Sequence, residues 1–210
     1  MISKQQPWRF LDTGKRGAIF NMALDEAVLF SVMTGVSPPT IRLFEWDRRA
    51  ITLGHTQRID VLLDRNRCSV DGIEIASRPT GGRAVFHEND LSYSVTATTN
   101  DLCFGGTILE TYKSISAVLC DGLKQFGAPV DISTGSLARE RGSASPCFVS
   151  TSRFELTADG KKLVGSAQRR IGNCFLQQGS ILTGPGYEKI IDYMVDRIKA
   201  ERYGRIIREK

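Results

Sequence analysis

Between Arg153 and Arg169 the chain carries the pattern that most restricts its fold. Two runs, Arg153–Ala158 and Lys161–Arg169, flank the dipeptide Asp159-Gly160. Asp and Gly accept the positive φ angles of a two-residue turn at low cost, so the runs read as an antiparallel hairpin. Cys174–Leu182 follows as a further strand that pairs naturally with it.

Upstream, Trp8–Leu11 reads as a short opening strand. From Ile19 to Val32, the residues Ile19, Met22, Ala23, Ala27, Leu29 and Phe30 recur at helical spacing, and Gly35 with Pro38-Pro39 ends that helix. Strands Thr40–Trp46 and Ala50–Leu53 follow, then a short helix over Ile59–Arg67 and strands Gly72–Ser77, Ala84–His87 and Leu91–Thr98. Thr107–Phe126 places Ile108, Leu109, Tyr112, Ile115, Leu119 and Leu123 on one helical face, with Gly127 as its C-terminal cap. After a brief strand at Val130–Ile132 comes a long Ser/Gly/Ala-rich loop, Ser133–Pro146. Loops of that length in a compact domain are usually functional or mobile. Glu188–Ile207 reads as a closing amphipathic helix. Strands in neighbouring groups, with helices between the groups, predict an α+β fold whose mixed, largely antiparallel sheet is flanked by helices. With 210 residues, no repeat and no linker, residues 1–210 are expected to form one domain.

The net charge of +5 is mild and scattered, apart from a basic segment from Arg197 to Lys210. That segment reads either as a solvated helix face or as charge that steers an acidic partner. No Lys/Arg run is interleaved with aromatics, so nucleic acid is not expected as a partner. The opening Met1–Trp8 lacks the apolar run of a signal peptide, and no stretch is long enough to span a bilayer. No membrane partner and a cytoplasmic location are therefore expected. The five cysteines, Cys68, Cys103, Cys120, Cys147 and Cys174, form no CxxC pair and read as free thiols. His55 and His87 do not sit at ligand spacing with any cysteine pair, so no metal is expected.

Three clusters have the residue types that chemistry needs. In Arg78-Pro79-Thr80-Gly81-Gly82-Arg83-Ala84-Val85-Phe86-His87, paired glycines let the backbone approach a ligand, and the arginines add charge. A plain tight turn is the competing reading there, and His87 reads more readily as a hydrogen-bonded structural residue than as a general base. In Lys161-Lys162-Leu163-Val164-Gly165-Ser166-Ala167, strand alternation sends the two lysines to opposite faces, so one of them is able to reach a cleft past small neighbours. A solvated hairpin lysine is the alternative. Cys147, between Pro146 and Phe148 at a loop–strand junction, is placed to be accessible, and as a thiolate it would be a strong nucleophile.

Together these clusters resemble the lipoate-protein ligase A / octanoyltransferase family, which shares its catalytic domain with biotin ligases. Asn21-Met22-Ala23-Leu24-Asp25-Glu26, Arg42-Leu43-Phe44, Thr52-Leu53-Gly54 with Gln57, the Arg78–His87 loop, Lys162–Gln168 and Gln178-Gly179-Ser180 carry the resemblance in order. Three departures from the ATP-dependent ligases make the chain similar to the cysteine-dependent octanoyltransferases. Arg83 stands where ligases have a third glycine, and Cys147-Phe148 with Ser152 and Phe154-Glu155 replaces an Asn-Asp pair. The chain also ends soon after the core, so no C-terminal accessory domain of the kind many ligases use is expected. The resemblance implies octanoyl transfer through a Cys147 thioester, with Lys162 holding the carbonyl oxygen. Substrate would be bound by Arg78, Gly81, Gly82, Arg83, Ala84, Val85, His87, Gly165, Ser166 and Ala167. It also implies an acyl carrier protein as donor and a lysine of a lipoyl domain or glycine-cleavage H protein as acceptor. No cofactor is needed; ATP and Mg enter only if the chain is a ligase core. Val149-Ser150-Thr151 is looser than the family pattern. With a C-terminal region shorter than in many cysteine transferases, this makes a lipoyl amidotransferase an alternative; a non-catalytic acyl-binding domain is a separate one.

Overall fold

The computed structural model describes residues 7–133 and 155–208. Most of the expected Ser133–Pro146 loop, Cys147 and the start of the hairpin at Arg153 lie outside the described residues. The fold is mixed α+β, with three sheets among the described residues in place of the single sheet expected.

The largest sheet orders five strands as β1-β2-β6-β11-β10. These are β1 (Arg9–Arg16), β2 (Thr40–Trp46), β6 (Asp90–Thr98), β10 (Val164–Ile171) and β11 (Cys174–Leu182). Only β1 and β2 run parallel; the other neighbours are antiparallel. A second sheet, β4-β3-β5, joins β3 (Ala50–Leu53) to β4 (Glu74–Ser77) and β5 (Val85–His87). The third, β7-β8-β9, holds Val130–Ile132, Leu156–Ala158 and Lys161–Lys162.

The third sheet corrects one expectation. The run from Lys161 to Arg169 is not one strand: β9 stays with β8, and β10 crosses to the five-stranded sheet. Leu163 is the joint, its N–H bonded to Leu156 and its carbonyl accepting from Leu182. The turn itself is as expected, with Asp159 at φ 50° and Gly160 at φ 74°.

Helix α1 (Ala18–Met33) starts at Gly17, which offers no capping side chain. The Glu74 carboxylate of β4 replaces the cap, accepting from the N–H groups of Ala18 at 2.7 Å and Ile19 at 3.3 Å. A carboxylate at this end also complements the helix dipole. The inward stripe of α1 differs from the apolar one expected: Ala18, Asn21, Met22, Asp25, Val28, Leu29 and Val32 are buried, while Ile19 and Phe30 are exposed. Helix α4 (Ile108–Gln125) is entered through a capping box, Thr107 with Glu110, and Gly127 at φ 82° closes it. Here too the inward face is shifted, burying Thr111, Ile115, Ser116 and Cys120 and exposing Ile108 and Leu109.

Two expected helices are broken. Leu63 pairs with Met194 as an isolated bridge and Asp64 caps a new helix, so Ile59–Arg67 becomes α2 (Ile59–Leu62) and α3 (Arg65–Val70). The same bridge divides the closing helix into a 3₁₀ helix over Tyr187–Tyr193 and α5 (Arg197–Arg208).

Along β6 the two faces differ in chemistry although both are buried. Tyr93, Val95 and Ala97 join an apolar core with Ile115, Val130, Leu156 and Phe175 beneath α4 and the third sheet. Ser92, Ser94 and Thr96 face the other way, toward α1. On that side Arg42 of β2 is fully buried. It bonds Asp25 at 2.8 Å, the Asn21 carbonyl at 3.1 Å and Thr13 Oγ1 at 2.9 Å, and its guanidinium lies 4.0 Å from the Phe44 ring centre. Burial pushes the Asp25 carboxyl up from its ordinary value, against the pull of Arg42, Ser94 and Gln178. Removing one member of such a pair strands the other charge in the core. Arg42→Met is expected to lower stability by about 3–5 kcal/mol in urea unfolding. The double variant Arg42→Met with Asp25→Leu should recover much of the loss, because no buried charge is then left alone.

Candidate active site

A cleft lies between the polar face of the five-stranded sheet and the β4-β3-β5 sheet, closed on one side by Met22 of α1. Cross-strand register orders its floor. Gly165 of β10 stands opposite Ser180 of β11, Ser180 opposite Ser92 of β6, and Ser92 opposite Phe44 of β2. Because β10 is the edge strand, the cleft runs inward from Gly165 and Ala167 to Phe44 and Trp46. Met22, Phe44, Trp46 and Val85 supply apolar lining.

The Gly-Gly loop forms one rim, and Arg78 is its brace. Its Nη1 donates to Thr52 O at 3.0 Å and Thr52 Oγ1 at 2.7 Å; its Nη2 donates to Gly81 O at 3.1 Å and Arg83 O at 2.8 Å. A planar guanidinium suits this task because its donors diverge in a fixed fork. The loop also packs closely on its neighbours. A Cβ at Gly54 would overlap the Gly82 carbonyl oxygen, and one at Gly82, where φ is 94°, would lie 3.4 Å from Ala167 Cβ. Thr80 Oγ1 donates to Gln178 Oε1 at 2.7 Å, and Gln178 Nε2 donates to Asp25 Oδ2 at 2.6 Å. The rim is thus tied to the buried Arg42–Asp25 pair.

Behind the loop, His87 links two networks. Its Nε2 is 2.8 Å from Thr52 Oγ1 and its Nδ1 is 2.9 Å from Asp90 Oδ2. A carboxylate only accepts, so the proton of the second bond sits on Nδ1. The imidazole stacks on the Trp46 indole with centroids 3.9 Å apart, and Trp46 Nε1 donates to Asp90 Oδ2 at 3.2 Å. Both nitrogens of His87 are therefore engaged within the protein, which fits a positioning role better than a general base.

Of the expected site residues, Arg78, Val85, His87, Gly165, Ser166 and Ala167 line one cleft. Gly81 and Arg83 form its rim through their carbonyl bonds to Arg78, with Gly82 between them. The Ser166 hydroxyl, however, is bonded to Tyr93 Oη at 2.7 Å, on the opposite face of the sheet. Gly179 makes room for that contact, since a Cβ there would overlap the Tyr93 ring. Ala84 packs away from the cleft in a core with Ile51, Leu53 and Phe86. Lys162 is not among the described residues that line the cleft but precedes one of them, Gly165, by three positions. Its Nζ bonds Glu155 Oε1 at 2.6 Å with both side chains 5% exposed, so it is no solvated hairpin lysine. Cys147 lies outside the described residues. The four described cysteines are free thiols, as expected.

Residue-type reasoning had not singled out Met22, Phe44, Trp46, Thr52, Ser92, Gln178 or Ser180 as site residues. Met22, Phe44, Thr52, Gln178 and Ser180 stand in the motifs that carry the family resemblance, whereas Ser92 belongs to the polar alternation of β6, which reads as a solvent face until the cleft is seen.

Burial alone would raise the Asp90 carboxyl, but His87 and the hydroxyls of Ser180 and Ser92 outweigh it and hold it below the ordinary range. A depressed native value stabilises the fold above the unfolded carboxyl value of about 3.9. That contribution is lost as pH falls below it, through the native value. Asp90→Asn is expected to melt below wild type at pH 7, with the difference in Tm shrinking in scans carried below about pH 4.

Comparison with known proteins gives the family of the chain. The lipoyl protein ligase A/B catalytic domain profile matches residues 18–208. "Octanoyltransferase LipM" of Moorella thermoacetica is 40% identical over 178 residues, covering 84% of this chain and 65% of that protein. The protein of the same name in Carboxydothermus hydrogenoformans is 37% identical, covering 88% of this chain and 68% of its own length. The chain thus spans about two thirds of the length of these curated relatives. Among solved structures, a chain from the Thermoplasma acidophilum lipoylation system, a bipartite lipoate protein ligase and its E2 lipoyl domain, superposes with TM-score 0.76. It is 22% identical and covers 98% of this chain and 73% of its own. A lipoate-protein ligase A bound with ATP gives TM-score 0.70 at 22% identity, covering 94% of this chain and 74% of that one. The latter two show the shared fold; on the profile and the relatives, the chain belongs to the lipoyl protein ligase A/B catalytic domain family.

Proposed function

We propose that the chain is an acyltransferase that moves an octanoyl group from acyl carrier protein to a lysine of a lipoyl domain or glycine-cleavage H protein. One observation carries the reading: an apolar-lined cleft with a glycine rim lies inside a catalytic domain whose relatives are named octanoyltransferases. Met22, Phe44, Trp46 and Val85 would bury the acyl chain, at about 0.8 kcal/mol for each methylene removed from water.

The reaction has two steps. Cys147, as the thiolate, attacks the thioester carbonyl of the donor; the carrier thiol leaves and takes up a proton. The acceptor amine then attacks the new thioester, forming the amide, returning Cys147 and releasing a proton. Thioester exchange is nearly isoenergetic and amide formation is downhill, so no ATP is required. Lys162 would donate to the carbonyl oxygen as it gains charge, an effect often worth a few kcal/mol. Free thiols at the described cysteines fit a reducing compartment, and we place the protein in the cytoplasm.

The test is a transfer assay with octanoyl-acyl carrier protein and a lipoyl domain, with ATP omitted. Wild type should octanoylate the acceptor lysine, and Cys147→Ser should lose the activity while still melting cooperatively. Transfer that requires ATP and free octanoate, and survives Cys147→Ser, would instead make the chain a ligase core.

A further inference from the structure

The buried ion pair between Lys162 and Glu155 follows from register. Thr157 and Lys162 are direct cross-strand partners, so their side chains share one face of the β8–β9 ribbon. Glu155 lies two residues before Thr157, hence on that same face and diagonal to Lys162. Lys161, opposite Ala158, points the other way and is exposed. The Glu155 backbone is fixed as well, because its carbonyl accepts from the Ser133 N–H at 2.8 Å and extends the pairing of β7 with β8. The Nζ–Oε1 distance of 2.6 Å and the 5% exposure of both side chains mark a dry contact. An exposed lysine would sample many rotamers of its four-carbon stem; this one is held.

A buried carboxylate beside a lysine is costly for stability alone, since an apolar pair of similar volume often serves as well. Its position is better explained by what the lysine does. From Lys162, the chain passes Leu163 and Val164 to reach Gly165, which lines the cleft. We propose that Glu155 is a positioning residue of the acyl transfer: it takes one N–H of Lys162 and aims Nζ at the reacting carbonyl oxygen. This rests on the acyltransferase reading above. In this role Glu155 touches no substrate and acts through Lys162.

The experiment measures single-turnover acylation of the intact enzyme by octanoyl-acyl carrier protein, alone and in a double-mutant cycle. Glu155→Gln is expected to lower the acylation rate constant about 100-fold, the scale of losing one well-placed donor. The donor concentration for half-maximal rate should stay within about 2-fold, because uniform binding is untouched. Glu155→Asp should restore part of the rate. In a Lys162→Met background, Glu155→Gln should cost nothing further, since residues that act as a unit are non-additive. Lys161→Met, on the opposite face, should match wild type. If Glu155→Gln keeps wild-type rate, or its loss persists in full in the Lys162→Met background, Glu155 does not act through Lys162 and the proposal is overturned. Should Glu155→Gln fold poorly, the Glu155→Asp variant and the Lys162→Met pair decide the matter by the same comparison. A wild-type enzyme that is not acylated at all would remove the acyltransferase reading, and the positioning role with it.

Discussion

The buried bond between Arg42 and Asp25 is the interaction on which the arrangement of the cleft depends. It joins α1 to β2 where both side chains are shut off from water. A pair of this kind contributes little net stability over an apolar one, but it tolerates only one register of the helix on the sheet. Asn21, Ser94 and Gln178 complete the hydrogen bonding, so none of the charge is left unpaired. Through Gln178 the constraint reaches Thr80 and thus the Gly-Gly rim. Arg78 holds the other side of that rim through four bonds to backbone and hydroxyl oxygens. Two arginines therefore shape the cleft from behind, one through the core and one through the loop.

This division of labour explains why the cleft can be apolar where an acyl chain would lie and polar where the backbone must be held. The Ser92 and Ser94 hydroxyls of β6 and the Ser180 and Gln178 side chains of β11 are satisfied by one another and by α1. Their hydrogen-bonding capacity is spent within the protein, leaving Met22, Phe44, Trp46 and Val85 to meet a ligand. Close backbone approach does the rest: Gly54 against Gly82 and Gly179 under Tyr93 are positions where any side chain would force the sheets apart.

Much of the fold was legible in the sequence because its signals are local. The Asp159-Gly160 turn, the Thr107 cap and Gly127 fix their elements through backbone geometry that neighbouring residues determine. What failed was decided by tertiary contact. Nothing local distinguishes the inward stripe of α1, which contains Asn21 and Asp25, from a solvated one; only the partner Arg42 makes it inward. The bend at Leu163 and the break at Leu63 likewise arise from pairing with distant strands and with Met194. In the site, the Gly-Gly loop, the β10 residues and Ser180 were found by motif, whereas Trp46 and Ser92 became visible only in the folded cleft. Glu155 belongs to a motif, but its contact with Lys162 is a diagonal one that linear spacing does not reveal.

The central claim is a covalent acyl-enzyme on Cys147. Intact-protein mass spectrometry after mixing the chain with octanoyl-acyl carrier protein, without ATP, tests it most directly. The expected result is one octanoyl adduct that hydroxylamine removes and that peptide mapping assigns to Cys147. Absence of that adduct, while acceptor octanoylation proceeds with ATP and free octanoate, would contradict it.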